Sequence, residues 1–148
     1  MVKTRKYLFA TMLTLLISSL VTSSIFAATS VASWHKTLAP NNNKFIEVTL
    51  GQHFQVEEGS TITILIDQYA LDSNGKEDKS KTAKVDYRIY NTTTGVSVRH
   101  TSIGSHGGAH GSPDSHTRTK MVAGLYVIKA INYTDSSVAI GGNVYVSK

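Results

Sequence analysis

From residue 45 onward, hydrophobic residues recur at every second position rather than every third or fourth. In "STITILIDQ", Ile62, Ile64 and Ile66 fall on one side, and Thr61, Thr63 and Asp67 on the other. "AKVDYRIYN" sets Val85, Tyr87 and Ile89 against Asp86, Arg88 and Tyr90. "SVAIGGNVYV" puts Val138, Ile140, Val144 and Val146 on one side. Such alternation marks half-buried strands, and the abundance of Val, Ile, Thr and Tyr suits a pleated surface. "GLYVIKAINY" is apolar on both sides except at Lys129, which predicts a strand in the middle of a sheet. Further strands are expected near 45–50, 53–57, 95–101 and 117–122.

Turn chemistry separates these runs: "EEGS", "DSNGKEDKS", "NTTTG", a histidine-bearing loop and "TDSS". Asn74-Gly75 supplies residues that tolerate positive φ. No amphipathic helix stands out after residue 30. Seven or eight short strands with regular turns predict an all-β fold, an antiparallel, jelly-roll-like β-sandwich filled by the inward aliphatics of two sheets. The domain is expected to span residues 45–148.

The N-terminus follows a different logic. Lys3, Arg5 and Lys6 precede an apolar run from Leu8 to Val21, which ends in small residues. That order predicts a secretory signal peptide over residues 1–27, cleaved after Ala27. A membrane span needs about 20 mainly apolar residues, so no stable membrane anchor is expected after cleavage. Residues 28–44, small and polar with a Pro-Asn cluster, read as a flexible leader, although they hold the single tryptophan, Trp34. The remaining length suits one domain with its own core. With 0 cysteines, that core must hold without disulfides and thiol catalysis is excluded. Once the signal is removed, 12 basic residues face 10 acidic ones. Such a balance lacks the clustered basic face of a nucleic-acid binder.

"VEEGSTITILID", "VDYRIYNTTTG" and "AGLYVIKAINYT" together resemble the jelly-roll pattern of bacterial pre-peptidase C-terminal type domains. The chain is also similar in design to small secreted Bacillus proteins of the YolA-like group. The likeness spans residues 54–147 and implies an extracellular accessory or binding domain rather than an enzyme. Its pattern has no counterpart for the histidine loop, so no family site is carried there.

That loop, "SIGSHGGAHGSPDSH", is the sharpest candidate for chemistry. His106, His110 and His116, with His100 and Asp114 as extra ligands, could hold zinc, copper or nickel, for which neutral imidazole is a good donor. No HExxH or Cys-His spacing is present, and the glycines argue against a helix that would align His106 with His110. Ser105, Ser112, Ser115, Asp114 and His116 are residue types used in acyl transfer. They lie together in sequence and lack a G-x-S-x-G elbow, so no catalytic residue is assigned. Glu57 and Glu58, adjacent on a strand, point to opposite faces. "LDSNGKEDK" fails as an EF-type calcium loop because Ala70 and Lys81 fall at the ligand ends. Tyr69, Tyr90, Tyr126, Tyr145 and Trp34 could form a stacking surface for a glycan or peptide, with Tyr90 the best ligand contact.

These observations predict a secreted, non-enzymatic β-sandwich without cofactor, acting as an extracellular binding or surface-associated protein. Its expected partner is an unidentified extracellular ligand such as a cell-surface glycan or protein, not nucleic acid. Two other classes are consistent with the chain: a metal-binding protein using the His-rich loop 100–116, and a secreted antimicrobial or toxin-like protein.

Overall fold

The computed structural model describes residues 29–42, 44–103 and 114–148. Eight strands run β1 (Thr29–Leu38), β2 (Glu47–Val56), β3 (Thr61–Ala70), β4 (Lys84–Asn91), β5 (Ser97–Ile103), β6 (Asp114–Arg118), β7 (Gly124–Asn132) and β8 (Val138–Ser147). They form two four-stranded antiparallel sheets, β1-β8-β3-β6 and β2-β7-β4-β5. In this order the chain crosses between sheets at every connection except the β4–β5 hairpin. That is the arrangement of an eight-stranded jelly roll.

The period-two pattern does what it predicts. Ile62, Ile64 and Ile66 point inward from β3, and Val85, Tyr87 and Ile89 point inward from β4, all essentially inaccessible to water. Each such side chain contributes about 1.5–3 kcal/mol on burial. The apolar strand β7 lies between β2 and β4, as its composition requires. The two runs expected at 45–50 and 53–57 are one strand, β2, interrupted by a bulge between Leu50 and Phe54. Gly51 sits in that bulge at φ 62°.

The largest departure from expectation concerns residues 28–44. Instead of a flexible leader, Thr29–Leu38 form β1, paired along β8. Ala32, Trp34 and Leu38 enter the core. Gly142 makes room for Trp34, because a Cβ there would overlap the indole ring. The signal expected over residues 1–27 lies outside the described residues.

One polar chain crosses the interior. The Tyr87 hydroxyl donates to Gln68 Oε1 (3.1 Å), and Gln68 Nε2 donates to the carbonyls of Ser102 (3.1 Å) and Ala83 (3.4 Å). Burial, with Asp114 and Asp67 nearby, pushes the Tyr87 phenol well above its ordinary range. At one end of the sandwich, Asn132 Nδ2 donates to the carbonyls of Ala39 and Ser136, and its Oδ1 accepts from the Thr134 amide.

Candidate functional site

The two long edges of the sandwich differ. At one, β1 and β2 close onto each other, and Gln52 Nε2 donates to the Val31 carbonyl (3.1 Å). At the other, β5 borders one sheet and β6 the other, and segment 104–113, which lies outside the described residues, joins them. Side chains opposite each other in an antiparallel pair share a face, so pairing with buried residues identifies what each edge presents to the interior. His100 lies opposite Tyr87, and Ser102 opposite Val85. Asp114, His116 and Arg118 lie opposite Ile66, Ile64 and Ile62. The polar residues of both edges therefore line the mouth of the sandwich.

Part of this mouth is bridged. His100 Nε2 lies 3.0 Å from Asp114 Oδ2. The His100 and His116 rings stack at 4.1 Å between centroids and 20° between planes. His116 Nε2 is shielded from water and has no hydrogen-bond partner among the described residues. Desolvation, then the neighbouring His100 and Arg118, lower the His116 pKa, with Asp114 opposing them. Of the expected metal set, His106 and His110 lie outside the described residues. The structure brings His100, Asp114 and His116 together. Among the described residues, no group of three or more acidic or imidazole side chains is arranged to hold an ion.

Beside the bridge the mouth opens into a cleft of about 340 Å³. Ile89, Val98, Met121 and Tyr126 form its apolar wall, and Val96 and Val122 stand at its rim. The rim valines are 63% and 55% exposed, whereas every other described valine is buried or partly buried. Several polar groups of the lining are already engaged within the protein. Asn91 Oδ1 accepts from the amides of Thr93 and Thr94, the Thr94 hydroxyl accepts from the Val96 amide, and the Tyr126 hydroxyl donates to the Val122 carbonyl. Arg118, Thr119 and Lys120 complete the lining. Lys120 has φ 55°, the only positive φ outside glycine among the described residues. Hydrogen bonds from Gly59 N to the Met121 carbonyl (2.8 Å) and from Met121 N to the Ser60 carbonyl (2.9 Å) hold this segment.

The tyrosines do not form one surface. Trp34 and Tyr126 are interior. Tyr69 and Tyr145 belong to the sheet of β3 and β8, and Tyr90 to the opposite sheet. Tyr90 does face outward, half-buried, but its ring carries the Lys129 ammonium at 4.2 Å from the centroid. Glu47 in turn binds Lys129 (2.8 Å) and Arg88 (3.0 Å). The ring face and the charges around it are thus engaged within the protein. Asp72, considered for calcium, accepts from the amides of Asn74 and Lys76 as an ordinary turn. Sequence reasoning missed the cleft. Val96 and Val98 come from around the start of β5, Met121 and Val122 from the segment after β6, and only the facing of the β5 and β6 edges makes the two segments neighbours.

No family model and no curated protein matches the chain. Among solved structures, a carbohydrate-binding module of Cellvibrio mixtus lichenase 5A, in complex with cellotriose, is similar at 8% identity and TM-score 0.40, over 79% of this chain and 98% of that one. A de novo designed double-stranded β-helix is similar at 11% identity and TM-score 0.34, over 76% and 96%. A Clostridium thermocellum xylanase 10B fragment is similar at 9% identity and TM-score 0.36, over 78% of this chain and 24% of that one. The jelly-roll assignment rests on the strand order and register above. The resemblance to pre-peptidase C-terminal type and YolA-like proteins extends no further than that architecture.

Proposed function

We propose that the protein is a secreted, non-catalytic binding protein that takes its ligand in the cleft between β5 and β6. One observation supports this reading above the others: an apolar cleft of about 340 Å³ reaches core side chains through an exposed valine rim. Ligand sites are typically concave, mainly apolar and about 300–1,000 Å³. Exposed apolar groups that converge on a cavity mark recognition more than scattered ones do. The small volume suits one small molecule or a single side group of a larger partner.

The test uses a neutral apolar dye, N-phenyl-1-naphthylamine. Its fluorescence should rise and shift to the blue with the wild-type protein. The gain should disappear in Val98→Trp, which fills the cleft, and in Val96→Asp, which makes the exposed rim polar without entering the core. Equal fluorescence in all three proteins, with unfolding curves unchanged, would reject the cleft as a binding site.

A second reading, a zinc, copper or nickel site built on His106, His110 and His116, draws support from the meeting of His100, Asp114 and His116 at the base of that loop. Calorimetric titration of each ion into wild type and the triple alanine variant tests it. Binding that the variant retains, or no binding, rejects it.

A further inference from the structure

We infer that the ligand of the β5–β6 cleft is a small amphiphile with an oxyanion head. Its apolar tail lies against Val98, Met121 and Tyr126, and its head lies on Arg118 with Lys120 beside it. This inference rests on the cleft being a binding site and adds the chemical class of what it holds.

It follows from the hydrogen-bonding state of the lining. The apolar wall specifies an apolar body, because each buried CH₂ contributes about 0.8 kcal/mol. The polar groups still able to bind then decide the head. Asn91 Oδ1, the Thr94 hydroxyl and the Tyr126 hydroxyl are engaged within the protein. Arg118 and Lys120 line the same cleft, and neither has an acidic partner among the described residues. Nearby acids are committed elsewhere. Glu58 accepts from the Ala123 amide (2.9 Å), Asp114 meets His100, and Glu57 pairs with Lys148. The rim thus offers two cationic donors, and Thr119 beside them a hydroxyl. A guanidinium presents a planar fork suited to two oxygens of a carboxylate or phosphate.

The backbone supports the same placement. Lys120 is held at φ 55°, a conformation that disfavours any side chain bearing a Cβ. Strain of this kind persists only where its surroundings enforce it, and it gathers at ligand-holding segments. Here the two Met121 backbone hydrogen bonds enforce it.

Calorimetry with decanoate, decyl phosphate and decanol tests the head directly. At least one of the two anions should bind about tenfold or more tighter than decanol, the gain typical of a charge-assisted hydrogen bond. Which anion binds tighter distinguishes a carboxylate ligand from a phosphate one. Arg118→Gln, at an exposed site, should bring the anions down to the level of decanol and leave decanol unchanged. Added salt should weaken the anions only. Decanol binding as tightly as both anions, or anion binding untouched by Arg118→Gln, would overturn the head-group inference while leaving the cleft intact. Failure of all three ligands, together with failure of the neutral dye, would overturn the cleft itself.

Discussion

Replacing Trp34 with alanine measures how far β1 belongs to the domain. The indole is 8% exposed, lies 6.4 Å from the Tyr87 ring between centroids, and fills the space that Gly142 leaves open. An aromatic side chain of this size buries about 150–250 Å². At about 25 cal/mol per Å² that corresponds to about 4–6 kcal/mol. The indole Nε1 is buried without a hydrogen-bond partner among the described residues, which offsets about 1–3 kcal/mol of the gain. The net expectation for Trp34→Ala is a loss of about 3 kcal/mol, at the low end of large-to-small aromatic substitutions. Urea unfolding followed by far-ultraviolet circular dichroism reads it, since the variant has no tryptophan. Trp34→Phe should cost markedly less, because it keeps most of the packing and removes the unpaired N–H. A loss below about 1 kcal/mol for Trp34→Ala, with unchanged slope, would mean that β1 is the detachable leader its composition suggests.

Other outcomes follow from the same contacts. Gln68→Leu should destabilise by about 2–4 kcal/mol, since Tyr87 Oη and the Ser102 carbonyl lose a buried partner; adding Tyr87→Phe should recover part of that loss in the same unfolding assay. Asn132→Ala should cost about 2–3 kcal/mol by releasing the Ala39 and Ser136 carbonyls and the Thr134 amide. Because the His116 pKa is lowered from 6.5 in the folded chain, the unfolded chain takes up a proton first. Its contribution is therefore complete above about pH 7 and is lost as pH falls below the unfolded value toward the lowered one. Urea midpoints should drop as pH falls through the unfolded value of 6.5, and His116→Gln should flatten that slope; an equally steep slope in the variant would assign it to other groups.

Much of the fold was legible because β3, β4 and β8 carry apolar residues at every second position, β7 is apolar on both faces, and all are long enough for burial to dominate. β1 was not. Ala32, Trp34 and Leu38 alternate among Ser, Thr, His and Lys, and the burial of Trp34 depends on Gly142, more than 100 residues away. Asp86 misled in another way. It faces outward as its position predicts, yet it is inaccessible, with Thr101 Oγ1 at 2.5 Å and the Arg99 guanidinium across it. Of the site, His100, Asp114 and His116 were visible as residue types, but their stacking was not. Two sheets must first bring β5 and β6 to facing edges. The cleft had still less signal, because Val96, Val98 and Val122 look like ordinary strand and loop residues until the edges part.

The most direct measurement is an amide NMR titration of the isotope-labelled protein with decanoate. Ligand seated between β5 and β6 should shift the amides of Val96, Val98, Arg118, Lys120, Met121 and Val122 together and saturably, with Tyr90 and Lys129 unmoved. Shifts confined to the outer face around Tyr90, or none at saturating decanoate and none with decyl phosphate in its place, would contradict the account.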